Sequence, residues 1–138
     1  MSRPKPPARR QHREKPQPGD DRNVVSLVPQ PPTGLLKASR DWWGDFFSSE
    51  LARHTFALSD VPAVTRLARL YDERERMRRT IGSNRVVQGS QGQPRPHPAF
   101  QTIASMDAEI RQLEDRFGLT PKARMTLGIA LGQAKRTL

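Results

Sequence analysis

The side chains best equipped for catalysis in this 138-residue chain are three histidines and fourteen carboxylates, and none is arranged for it. His12, His54 and His97 stand far apart, and none has a serine, a carboxylate or a second histidine at triad or metal-ligand spacing. Glu73/Glu75 and Glu114/Asp115 sit beside arginines in charged helical runs, where ion pairing is their ordinary role. His97, just before Pro98, is read as closing a loop onto a helix start rather than as a metal ligand. The chain has no cysteine, which excludes disulfides, thiolate metal sites, iron–sulfur clusters and cysteine nucleophiles. Gly89-Ser90-Gln91-Gly92 lacks both the Gly-Lys-Ser/Thr ending and the preceding buried strand of a phosphate loop, so nucleotide binding is rejected. The expectation is a non-enzyme with no cofactor and no metal.

The chemistry that does stand out is cationic. Lys and Arg total 24 against 14 Asp and Glu, a formal charge of +10. Residues 1–22 hold Arg3, Lys5, Arg9, Arg10, Arg13, Lys15 and Arg22 against Glu14, Asp20 and Asp21, so the excess is shared between this arm and the rest of the chain. A field of that sign attracts polyanions, and duplex DNA carries a charge about every 1.7 Å of its axis. Arg74, Arg76, Arg78 and Arg79 crowd the end of a charged helical run, a placement that suits the helix macrodipole and can meet a phosphate. Asp72 to Arg76 and Glu75 to Arg79 are i,i+4 pairs with the acid on the N-terminal side, the better orientation.

The elements that must carry these charges begin after residue 33. Residues 1–33 contain eight of the 13 prolines and few apolar side chains, too few to offset an ordering cost of roughly 1–2 kcal/mol per residue. They are read as a disordered, basic, Pro-rich arm. Val24-Val25-Ser26-Leu27-Val28 is its apolar exception, able to pair as a strand, to dock on a partner or to stay inert. Residues 34–138 form the helical domain. Ser39 or Asp41 caps a first helix whose Trp43, Phe46, Phe47 and Leu51, with Trp42 alongside, make one apolar face suited to anchor a core. Ser59 or Asp60 caps a second, with Pro62 in its first turn and a stripe of Val64, Leu67, Ala68 and Tyr71, thinning to Met77 and Ile81. Residues 82–97 hold three glycines and two prolines and form a long loop, in which Arg85 to Gln88 is a short extended piece able to pair in a hairpin. Ala99, Ile103, Met106, Ile110, Leu113 and Phe117 then recur at spacings of four and three, the seam of a third helix that starts at Pro98 and ends at Gly118. Thr120-Pro121 opens a fourth, with Ala123, Leu127, Ala130, Leu131, Ala134 and Leu138 as its apolar positions. The predicted fold is all-α: four helices around a central antiparallel hairpin of the second and third. No apolar run approaches the roughly 18–20 residues that span a bilayer. The N-terminus lacks the apolar stretch of a secretory signal, and an intracellular protein is expected.

Two binding readings follow from the residues alone. One is an oligomeric DNA-binding module; the other is a small basic helical adaptor whose tail meets an acidic protein. Phe117-Gly118-Leu119-Thr120-Pro121 looks like the turn of a helix-turn-helix, although most such turns only reverse the chain.

The order of features resembles the small-subunit terminases of tailed double-stranded DNA phages. A Pro-rich basic arm precedes a helix with Trp42 and Trp43, then comes the helix with Tyr71 and the loop Gly89 to Gln93. His97-Pro98-Ala99 follows, and finally Phe117-Gly118-Leu119-Thr120-Pro121-Lys122-Ala123-Arg124. The likeness covers roughly residues 34–132, and the family usually has serine where Ala123 stands. The resemblance implies a ring-forming homo-oligomer in the host cell cytoplasm. It would bind concatemeric viral DNA at the packaging start and recruit and regulate a large terminase subunit that holds the ATPase and nuclease. Within that reading the expected phosphate contacts are Arg3, Lys5, Arg9, Arg10, Arg13, Lys15, Arg74, Arg76, Arg78, Arg79, Lys122 and Arg124. The expected ring interface is Ile103, Met106, Ile110, Leu113 and Phe117.

Overall fold

The structure is a computed structural model that describes residues 28–129 together with Ser2 and Leu131. The Val24–Leu27 part of the apolar arm patch, the basic residues of the arm, and Ala130, Ala134 and Leu138 of the expected fourth helix lie outside the described residues. The described chain is mostly helical, with five α-helices and one small two-stranded sheet where an all-α chain of four helices was expected.

The first expected helix is two. Helix α1 runs Lys37–Ser48 and α2 Glu50–Thr55. Ser49 separates them by turning extended at φ −71°, ψ 154°, and its hydroxyl accepts the Ala52 N–H at 3.2 Å, so it stops one helix and caps the next. Neither Ser39 nor Asp41 caps α1. The cap position is Leu36, which has no polar side chain, and its N–H donates instead to Asp72 Oδ1 at 2.7 Å. Ser39 is a buried residue inside the helix.

Asp60 is the residue before the long helix α3, Val61–Ile81, and Pro62 falls in the first turn as predicted. The Asp60 carboxylate accepts the Ala57 N–H at 2.9 Å, pinning the preceding 3-10 turn of Leu58–Asp60 rather than capping α3 itself. Helix α4, Ala99–Phe117, starts at Pro98 and lies along α3. Asp60 and Ala63 at the start of α3 and Arg116 and Phe117 at the end of α4 line one cleft. Gly118 ends α4 in the left-handed conformation, φ +71°, with Leu119 N–H returning to Glu114 O at 2.9 Å. Thr120 accepts the Ala123 N–H and Pro121 opens α5, which closes early, at Leu127, because Gly128 is again left-handed.

The core lies where α1 and α2 cross the first half of α3. Trp43, Phe46, Phe47, Leu51, Ala52 and Phe56 pack there with Leu35, Val64 and Ala68. Leu67, Ile110 and Leu113 form a second cluster between α3 and α4, and Trp42, Phe117 and Leu119 touch both. An aromatic chain joins the two: Trp42 stacks on Phe46 at 5.3 Å, Phe46 meets Phe56 edge-on at 5.0 Å, and Phe56 meets Phe117 at 5.5 Å. The tryptophan helix is thus a core anchor.

The connection of residues 82–97 contains a ribbon. Strand β1, Val86–Gln88, pairs antiparallel with β2, Pro94–Pro96, in the register Val86↔Pro96, Val87↔Arg95 and Gln88↔Pro94. His97 N–H donates to Arg85 O at 2.9 Å at the base of the ribbon. Ala99 N–H donates to His97 Nδ1 at 3.1 Å, so this imidazole closes the loop onto the start of α4.

Candidate nucleic-acid interface

Whether an arginine is available to an anion depends on what already holds it. Helix α3 carries Arg66, Arg69, Arg74, Arg76, Arg78 and Arg79, and the structure divides them. Asp72 is buried to 4 % exposure on the side of α3 that meets the chain entering α1. Its Oδ2 takes Arg76 Nε at 2.7 Å while its Oδ1 takes the Leu36 N–H. Arg76 also donates through Nη2 to Gly34 O at 2.6 Å. Together they strap residues 34–36 to the helix. Desolvation works against the Asp72 charge, yet the hydrogen bonds from Arg76, Leu36 N–H and Ser39 outweigh it and hold the carboxyl below its ordinary range. A second tie fixes the strap further out, where Trp43 Nε1 donates to Pro29 O at 2.7 Å.

On the α4 side, Arg74 Nη1 lies 2.7 Å from Asp107 Oδ1, and its guanidinium carbon sits 5.4 Å from the centroid of the Tyr71 ring. Tyr71 donates its hydroxyl proton to Glu114 Oε1 at 2.7 Å. Burial, then this bond to a carboxylate, push the phenol above its ordinary range. Arg66 pairs with Glu109 across the same seam, and Arg79 with Glu75 one turn back at 3.0 Å. Arg74 and Arg76 are therefore tied to the subunit's own carboxylates. Arg79 shares an exposed pair, and Arg78 is exposed without an ion pair among the described residues. Lys122 is exposed on α5, whereas Arg124 is half-buried and donates to Gly118 O at 3.1 Å. Arg3, Lys5, Arg9, Arg10, Arg13 and Lys15 lie outside the described residues.

The expected interface residues also separate. Ile103, Ile110 and Leu113 are buried within the subunit, Ile110 to 1 % exposure, and Phe117 is partly buried against both clusters. Met106 borders an open groove between α3 and α4, with Leu70, Pro62 and Thr65. A heptad-like seam reports burial; it does not distinguish a neighbouring helix of the same chain from one of another chain.

Sequence reasoning passed over Arg85 and Arg95. Between Glu75 and Asp107 the chain has no acidic residue, while Arg76, Arg78, Arg79, Arg85 and Arg95 all fall in that interval. The acid-free run covers the last turns of α3, the ribbon and the first two turns of α4. Both Arg85 and Arg95 are exposed, and neither forms an ion pair among the described residues. The signal available beforehand was this gap in the acids, not any cluster of bases.

Among the described residues, Asp41, Asp72, Glu75, Asp107 and Glu109 are held in internal ion pairs, while Arg78, Arg85 and Arg95 in the acid-free interval are exposed and form none. Among the described residues no helix is long and apolar enough to cross a membrane. Comparison with curated proteins and with solved structures returns no match. The family model described as phage terminase, small subunit, matches residues 40–134, from the third residue after the start of α1 through α5 and beyond. With most of its length matched, and all five described helices within or overlapping the match, the chain belongs to the phage terminase small-subunit family.

Proposed function

We propose that this chain is the DNA-recognition subunit of a phage packaging machine. It assembles into a homo-oligomeric ring in the host cell cytoplasm, binds concatemeric viral DNA at the packaging initiation site, and recruits and regulates the large terminase subunit that carries the ATPase and nuclease. Its own part is non-catalytic. The observation that carries this reading is the family match over residues 40–134. The formal charge of +10 supports it, since a polyanion is the natural partner of such a surface. The phosphate contacts are the arm residues Arg3, Lys5, Arg9, Arg10, Arg13 and Lys15 together with Arg78, Arg79 and Lys122. Arg74, Arg76 and Arg124 shape the surface from their internal bonds. The ring contact runs through the groove where Met106 and Leu70 lie, while Ile103, Ile110, Leu113 and Phe117 hold the helices that frame it. A ring repeats each weak contact, so avidity offsets a low affinity per subunit.

Native mass measurement with and without duplex DNA tests the reading. The expected result is a closed multiple of the 15.6 kDa chain that gains the mass of the duplex, with binding that weakens steeply as salt rises. A 15.6 kDa monomer indifferent to DNA refutes it and favours a basic adaptor for an acidic protein.

A further inference from the structure

The ribbon between α3 and α4 contributes almost nothing to the core. All of β2 is exposed, and Val86 is 63 % exposed on β1. Its construction is nevertheless specific. His97 N–H donates to Arg85 O, and Gly89 N–H donates to Gln93 O at 2.7 Å, so the backbone groups of residues 85, 87 and 89 face those of 97, 95 and 93. The groups at 86, 88, 94 and 96 point outward. Positions 94 and 96 are proline, so the free edge of β2 has no N–H to offer another strand. That edge is closed to sheet extension.

The same alternation places Arg85, Val87, Arg95 and His97 on one face. The Arg95 stem lies flat over Gly89: a Cβ there would stand 2.6 Å from Arg95 Cδ. Glycine at 89 therefore leaves room for the guanidinium stem to run along the ribbon toward its turn. The ribbon base continues into the acid-free end of α3, where Arg78 is exposed. Strands of three residues span about 10 Å, and their axes are about 4.8 Å apart. The major groove of B-DNA, about 12 Å wide, admits a two-stranded ribbon of that size.

We propose that the β1–β2 ribbon is a duplex-DNA contact of its own, inserting into a groove with Arg85 and Arg95 on the flanking phosphates and Arg78 on the backbone at its base. The proposal rests on the reading that duplex DNA is the partner, and it assigns the contact to residues outside the arm and outside α5. No carboxylate lies on the ribbon, and among the described residues none forms an ion pair with these two arginines.

The test compares the full chain with Arg85→Glu/Arg95→Glu and with Arg53→Glu/Arg111→Glu. The second pair makes the same change in net charge at exposed residues of α2 and α4. Affinity for a fluorescent duplex is measured between 50 and 200 mM salt, with native mass recorded for each protein. The ribbon variant is expected to lose at least tenfold in affinity at unchanged mass, with the control losing less than threefold. In Arg85→Ala/Arg95→Ala the salt slope should shrink by about two for one engaged subunit, near 0.9 per lost phosphate contact. Equal losses in ribbon and control variants would mean that only the overall field matters, and overturn the proposal. A ribbon variant that binds like the parent overturns it too, while leaving the packaging reading standing. A fall in native mass makes the ribbon a subunit contact and overturns it. A parent chain that binds no duplex at all overturns both. Since the chain has no cysteine, Ser90→Cys places a single thiol at the ribbon turn with both arginines intact. A photocrosslinker there should capture duplex that the same group at Ser59→Cys does not; capture at neither or equally at both counts against the ribbon.

Discussion

Replacing one buried carboxylate should loosen the entrance to the whole fold. Asp72→Asn keeps the shape of the side chain and removes its charge. In the parent, Asp72 Oδ1 accepts the Leu36 N–H at 2.7 Å and Oδ2 accepts Arg76 Nε at 2.7 Å. A hydrogen bond to a charged group contributes about 1.5–3 kcal/mol. The asparagine amide retains one acceptor for Leu36, but turns an N–H toward the Arg76 guanidinium, or else faces Leu36 with its donor. Arg76 is half exposed and rehydrates when released, so it adds no separate figure. The net loss is about 2 kcal/mol, which for a urea m-value of about 2 kcal/mol/M lowers the midpoint by about 1 M. The buried Trp43, tied to Pro29 next to this strap, reports unfolding by its fluorescence. The pH dependence follows from the direction of the shift. Asp72 has a folded pKa below its unfolded value near 3.9, so its stabilisation is complete above that unfolded value and is lost as pH falls through the folded one. The gap between parent and Asp72→Asn should thus be constant from pH 7 to about 5 and close below about 4. At one fixed protein concentration, equal midpoints at pH 7, or a gap that persists into acid, would refute the idea that this carboxylate secures the strap.

Three other substitutions separate core from surface and test the helix stop. Ile110→Ala removes a side chain at 1 % exposure and should cost about 2–5 kcal/mol in urea unfolding, whereas Met106→Glu, at the open groove, should cost less than about 1 kcal/mol while lowering the native mass; the reverse pattern would put Ile110 at a subunit contact. Gly118→Ala forces an L side chain to φ +71° and sets its Cβ 2.9 Å from Ile129 Cδ1, so a loss of about 1–2 kcal/mol is expected in thermal or urea melts, and a neutral outcome would show that the α4–α5 turn relaxes freely.

What the residues alone determined about this protein is local and periodic. The spacing of Ile103, Ile110 and Leu113, two turns and then one, marks the buried face of α4, because a helix returns the same side to its neighbour every 3.6 residues. Pro62, Gly118 and Thr120-Pro121 mark helix ends, because each acts through its own backbone or through a hydrogen bond three residues away. The charge balance and the order of short motifs likewise needed no coordinates to point to the family that the match over residues 40–134 establishes. The tertiary structure decided whatever depended on partners distant along the chain. The start of α1 is set by Asp72, 36 residues after Leu36, and no local cap competes with it. The Asp72–Arg76 pair was legible as an i,i+4 spacing, but the ties of Arg74 to Asp107 on another helix and of Arg76 to the Gly34 carbonyl were not, so two arginines expected to meet phosphate are internal ties. Arg85 and Arg95, separated by a turn of glycines, become neighbours on one face only when β1 and β2 pair. A side chain's type is written at its own position, but its availability depends on which groups folding brings within hydrogen-bond reach.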